Sequence, residues 1–150
     1  MQALHKQFLR QIWLHTNEYT GIAYKDEPAI ATTELCNEAL FSNGKIGKIE
    51  HFRTEFVTQY EAWAAKNGAP TNVGDKVWQL NYPRDNQRFY LHIMREFYRT
   101  FREFNRRELG LKIPFNASNW AHWPWVLASQ TECDFMEAHQ YYGGDRIGAG

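Results

Sequence analysis

Between two stretches of helical period lies a short run, Ile30-Ala31-Thr32-Thr33-Glu34-Leu35-Cys36, that closes on Asn37-Glu38. Its β-branched and apolar residues read as a short buried strand. Pro28, with Asp26-Glu27 before it, marks the turn into the run. A strand ending in Asn-Glu delivers a carboxylate and an amide to the rim of a sheet, which is where α/β folds bind their ligands. Strand-ending acids are common, and most meet only solvent or a helix N-terminus. The motif gains weight from a second strand-like run, Asp134-Phe135-Met136-Glu137-Ala138-His139-Gln140-Tyr141-Tyr142, which also ends in functional side chains.

The rest of the chain alternates around these runs. Leu4, Phe8, Leu9, Ile12 and Trp13 give residues 3–15 helical spacing. Residues 29–37 follow as the first strand, and Ser42-Asn43-Gly44 breaks the chain. Ile49, Phe52, Phe56, Tyr60 and Trp63 predict an amphipathic helix over 49–66, stopped by Asn67-Gly68-Ala69-Pro70. An irregular connection over 71–84 leads to a long helix over 85–109, with Asp85 as N-cap and Gly110 as stop. Residues 112–119 predict a second strand, 124–129 a short helix and 134–140 a third strand. Strands alternating with helices imply parallel βα units, so the expected class is α/β.

At 150 residues the chain is long enough for one domain with its own core. Its aromatic share of 16% argues against disorder, and its zero formal charge predicts no polyanionic partner. Cys36 and Cys133 imply no disulfide framework. No apolar stretch is long enough to span a membrane. Residues 1–7 lack the charged head and apolar core of a signal peptide and read as the middle of a helix. Residues 143–150 read as a loop cut short, so both ends predict a piece of a larger protein.

Alternation on the third predicted strand puts Phe135, Glu137, His139 and Tyr141 on one face and Met136 and Ala138 on the other. Burying Glu, His and Tyr together is costly unless they are paired. The face is therefore either a site or a set of polar groups satisfied by a neighbouring strand.

Three stretches, Asn17-Glu18-Tyr19-Thr20-Gly21, Asp26-Glu27-Pro28-Ala29-Ile30 and Glu34-Leu35-Cys36-Asn37-Glu38, resemble the approach to the fourth strand of retaining (β/α)8 glycoside hydrolases. The likeness is to the cellulase and mannanase type, glycoside hydrolase family five. Asp134-Phe135 with His139-x-Tyr141 resembles strand six of that family. The chain departs from the pattern at Ala39, where many relatives have a second Asn, and at Glu137 and Tyr142, where Asp and Trp are frequent.

The resemblance implies a partial (β/α)8 barrel of about three parallel strands, four to six, in a single catalytic domain truncated at both ends. It implies Glu38 as general acid/base and Asn37 as the residue holding the sugar 2-hydroxyl, with His139 and Tyr141 around the catalytic carboxylates. The family nucleophile lies on strand seven, so the resemblance gives that role to no residue of this chain and implies that the 150 residues alone are inactive. It also implies β-linked poly- or oligosaccharide as substrate, no cofactor, and an extracellular or periplasmic setting.

Trp120 and Trp123, with Tyr142, fall where barrel loops would form a substrate cleft. Their rings are read either as platforms for sugar or as packing for the short helix. Glu34 shares a strand face with Cys36 and Glu38 and is read as a hydrogen-bonded interior residue. Arg84, Arg88, Arg95, Arg99, Arg102, Arg106 and Arg107 line the long helix. Interleaved acids, with Arg99/Glu103 and Glu103/Arg107 at i,i+4, favour a salt-bridged outer helix over a nucleic-acid surface. The six histidines show no metal-ligand spacing, so no metal site is expected. Asn116-Ala117-Ser118 matches a glycosylation sequon but falls in a predicted strand, so it is expected to be unused. Two other functions stay open: a non-catalytic carbohydrate-binding relative, and an arginine-rich helical protein that binds nucleic acid.

Overall fold

The computed structural model describes residues 2–38, 48–78, 84–120 and 123–139. Helix α1 spans Gln2–Trp13 and strand β1 spans Thr33–Cys36. Helix α2 spans Glu50–Asn67 and helix α3 Arg84–Glu103, running on into a π-helical turn at Phe104–Glu108. Strand β2 covers Phe115–Ser118 and helix α4 Pro124–Ser129. Short 3-10 turns lie at Tyr24–Asp26, Gly74–Trp78 and Gln130–Glu132. The Ser42-Asn43-Gly44 break and the side chains of Tyr141 and Tyr142 lie outside the described residues.

Helix α2 buries Phe56, Tyr60, Trp63 and Ala64, the stripe that the three-and-four spacing predicts. It stops where Gly68 turns left-handed at φ 65°, a conformation that carries no steric cost without a Cβ. The amide of Ala69 then donates to Ala64 O at 3.1 Å, closing the cap. Helix α3 buries Phe89, Tyr90, Met94, Tyr98 and Phe101. It starts one residue before the expected cap, so Asp85 sits in the first turn, where its carboxylate faces the positive end of the helix dipole. Pro124 opens α4 at a position where its missing N–H costs nothing.

The barrel expectation is corrected by this architecture. Among the described residues the chain is mostly helical, and the sheet has two short strands rather than three. Strands β1 and β2 are parallel, with Thr33 against Phe115, Glu34 against Asn116 and Cys36 against Ser118. The third run does lie beside β2 and points the same way. Its Asp134 amide donates to Phe115 O at 2.9 Å, and its His139 amide to Asn119 O at 2.8 Å. Between those two bonds no backbone ladder forms, because side-chain amides occupy the gap. Gln130 Nε2 donates to Ser118 O and Glu137 O, and Gln130 Oε1 accepts the Glu137 amide at 2.8 Å. Asn116 Nδ2 donates to Phe135 O at 2.9 Å. Both amides are buried, and their bonds stand in for the ladder. Burial along the run still alternates: Phe135, Glu137 and His139 are half-buried, while Met136 and Ala138 are exposed.

Several arginines along α3 and its π-helical turn are ion-paired, some to neighbours on the helix and some to acids distant in sequence. Arg107 meets Glu103 at 4.0 Å as the i,i+4 spacing predicts. Arg99 instead bonds Glu96 at 2.7 Å and Glu132 at 2.9 Å. Arg102 and Arg106 both reach Asp134, whose Oδ2 also accepts the Phe115 amide at 2.8 Å. The helix thus clamps the run after α4 onto β2. Burial alone would push the Asp134 carboxyl up, but the Phe115 amide, Arg102 and Arg106 hold it below its ordinary 3.8.

A depressed carboxyl contributes stability that is complete above its unfolded value and is lost as pH falls through the folded one. Asp134→Ala is therefore expected to lower stability by about 2–3 kcal/mol at neutral pH, the worth of a charge-assisted hydrogen-bond set. Urea titrations should show that difference close as pH drops below about 4. A difference that is constant with pH would contradict the clamp.

Candidate functional site

Parallel register sets the site. Because Cys36 lies against Ser118, the residues that follow the two strands, Asn37-Glu38 and Asn119, emerge side by side. The third run ends at the same rim, since the His139 amide bonds Asn119 O. Glu38 takes a left-handed backbone at φ 49°, a conformation unfavourable for a residue with a Cβ. Its amide donates to Asn119 Oδ1 at 2.7 Å, which holds the turn.

Asn119 is 1% exposed and is the hub of the cluster. Its Nδ2 lies 3.0 Å from Glu34 Oε2, 2.9 Å from Asn37 Oδ1 and 2.8 Å from His139 Nε2. His139 Nδ1 lies 3.1 Å from Glu38 Oε1. The Glu38 and His139 side chains are 28% and 36% exposed, so a ligand at the rim can reach both.

Glu34 sits deeper. Burial pushes its carboxyl above the ordinary 4.5, and Glu137 and Glu38 add to the push, against the pull of His139 and the Asn119 bond. Its Oε1 is buried with no hydrogen-bond partner. That oxygen is costly to bury as an anion and much less so in a protonated acid. The cluster therefore joins two carboxyl groups, one imidazole and two amides, in settings that differ in burial and hydrogen bonding. Such a set can hold and move protons.

Thiol chemistry does not belong to it. Burial raises the Cys36 thiol, with Glu34 adding to the effect, and pushes Cys133 up to about 11. Both cysteines are free. Among the described residues no three His, Cys, Asp or Glu side chains are placed to hold a metal ion.

Of the residues expected from sequence, Glu38, Asn37 and His139 meet through Asn119. Tyr141 and Tyr142 fall outside the described residues. Trp120 follows the hub directly and is half-buried. Trp123 lies at the start of α4, 40% exposed and stacked on Trp125 with ring centres 6.3 Å apart and planes 8° from parallel. Asn116 of the sequon is wholly buried in β2. A groove of about 680 Å³ is walled by Trp63, Phe89, Ile93 and Phe97 of α2 and α3, with Cys36 of β1 also among its described lining residues.

Asn119, the hub of the cluster, is the residue that the sequence reading did not assign to the site. The signal was present, as a polar residue closing the second strand just as Asn37-Glu38 closes the first. No family model, no curated protein and no solved structure matches the chain.

Proposed function

We propose that this strand-end cluster is the acid/base part of a retaining glycoside hydrolase site for β-linked poly- or oligosaccharides, with Glu38 as general acid/base. One observation carries the reading: Glu38 has one carboxylate oxygen engaged by His139 and its backbone held by Asn119, at the C-terminal rim of two parallel strands. A carboxyl group fixed in this way and still partly exposed can present its other oxygen to a glycosidic bond. Asn37, bonded to Asn119, is assigned the sugar 2-hydroxyl, a contact that strengthens in the transition state. The resemblance of Glu34-Leu35-Cys36-Asn37-Glu38 to the family-five motif supports the same roles.

Double displacement needs a second carboxylate about 5–5.5 Å from the first, as nucleophile. No described residue is given that role. Binding of carbohydrate without hydrolysis is the second reading, and it shares the cluster but not the turnover. The nucleic-acid reading fits less well, because Arg99, Arg102 and Arg106 are committed to Glu96, Glu132 and Asp134.

The test is stereochemical and uses the full encoded protein. On β-glycosides, proton NMR of the first sugar released is expected to show the β anomer, the mark of retention. Release of the α anomer would contradict the double-displacement assignment. Binding without release of sugar would favour the second reading.

A further inference from the structure

We infer that Asn119 is a positioning residue for Glu38: one buried side-chain amide fixes both the Glu38 backbone and the place of the proton on His139. The geometry stands on its own, and its catalytic meaning rests on the acid/base reading above.

The orientation of the amide follows from its partners. The Glu38 backbone N–H only donates, so the group 2.7 Å away must be the Asn119 oxygen. The NH2 then points the other way, toward Glu34 Oε2, Asn37 Oδ1 and His139 Nε2. An NH2 group donates and does not accept, so the ring nitrogen 2.8 Å from it carries no proton. The ring proton of neutral His139 is therefore on Nδ1, where it donates to Glu38 Oε1 at 3.1 Å. Two amide protons face three acceptors, so one N–H is shared. Two carboxyl groups frame the ring and the amide: Glu38, from the turn after β1, bonds the ring, and Glu34, from β1, bonds the same Asn119 amide. Glu38 Oε1 is thereby kept as an acceptor, which leaves Oε2 as the oxygen that gives and takes the proton.

Asn119→Asp tests this role, with the bonds to Glu34 and Asn37 lost as well. It keeps the shape and the acceptor for the Glu38 amide, but it replaces the NH2 by an oxygen that accepts a proton from Nε2. Nitrogen-15 NMR of the histidine rings in the whole chain at pH 7, with the His139 signals assigned by their loss in His139→Gln, reads the result directly. In the wild type, Nε2 of His139 is expected to be bare and Nδ1 protonated. In Asn119→Asp both nitrogens should carry protons. Turnover of β-glycosides with poor leaving groups should then fall on the order of 10²-fold in kcat, with KM little changed, as for a misplaced catalytic group.

A proton on Nε2 in the wild type overturns the inference even if the variant does not fold, and so does an unchanged ring in Asn119→Asp. Failure of the acid/base reading looks different: the ring protons are placed as stated, but Glu38→Gln has no effect on turnover.

Discussion

Glu38→Gln is expected to slow hydrolysis of β-glycosides with poor leaving groups by about 10²–10⁴-fold, the usual worth of general acid/base assistance. The substitution keeps the shape of the side chain, and its amide oxygen can still accept from His139 Nδ1, so the cluster geometry is retained. What it removes is the proton that would be delivered to the leaving oxygen. An activated aryl glycoside needs little protonation to depart, so its first step should slow far less. Asn37→Ala should slow both substrate types, because a 2-hydroxyl contact strengthens in either transition state. Steady-state rates across a series of leaving groups separate the two residues. Equal and small losses at Glu38 for every leaving group would make it an ordinary strand-end carboxylate.

The largest expected loss of stability is at Phe89. Its ring is 1% exposed and sits among Phe56, Tyr60 and Trp63, with centroids 5.2, 5.1 and 5.4 Å away. These contacts join α2 to α3, the two long helices between β1 and β2. Truncation removes the buried apolar area and leaves a cavity that rigid aromatic neighbours fill poorly. Phe89→Ala is expected to cost about 3–5 kcal/mol in urea unfolding. Against a total of about 5–15 kcal/mol for a domain, that is roughly a fifth of the stability or more. Phe89→Leu, which restores much of the volume, should recover most of the loss. A cost below about 1 kcal/mol for the alanine variant would mean that α2 and α3 do not share this core.

The helices were legible because their signals are local. Apolar spacing at Phe56, Tyr60 and Trp63, with Gly68 after them, placed α2 to within a residue at each end. Pro124 and Ser129 bounded α4 in the same way. The rim was legible in part: a β-branched run closing on Asn37-Glu38 does end a strand there, although the strand is only Thr33–Cys36. What the sequence could not show depends on contacts between distant residues. The described part of the run, residues 135–139, has the alternating burial of a strand, yet Gln130 and Asn116 take the bonds that would make it one. Nothing in a glutamine inside a short helical stretch announces that use. Arg99 likewise prefers Glu132, 33 positions away, to Glu103 one helical turn on. The role of Asn119 appears only once parallel register brings it beside Glu38.

The central claim, that Glu38 gives and takes the proton at a retaining site, is tested most directly by chemical rescue. Glu38→Ala in the full encoded protein should turn over an activated aryl β-glycoside slowly, because no general base activates water to release the glycosyl-enzyme. Azide needs no base, so its addition should restore turnover and yield the β-glycosyl azide as product. A variant that hydrolyses this substrate like the wild type, or that stays slow and forms no glycosyl azide, would contradict the assignment.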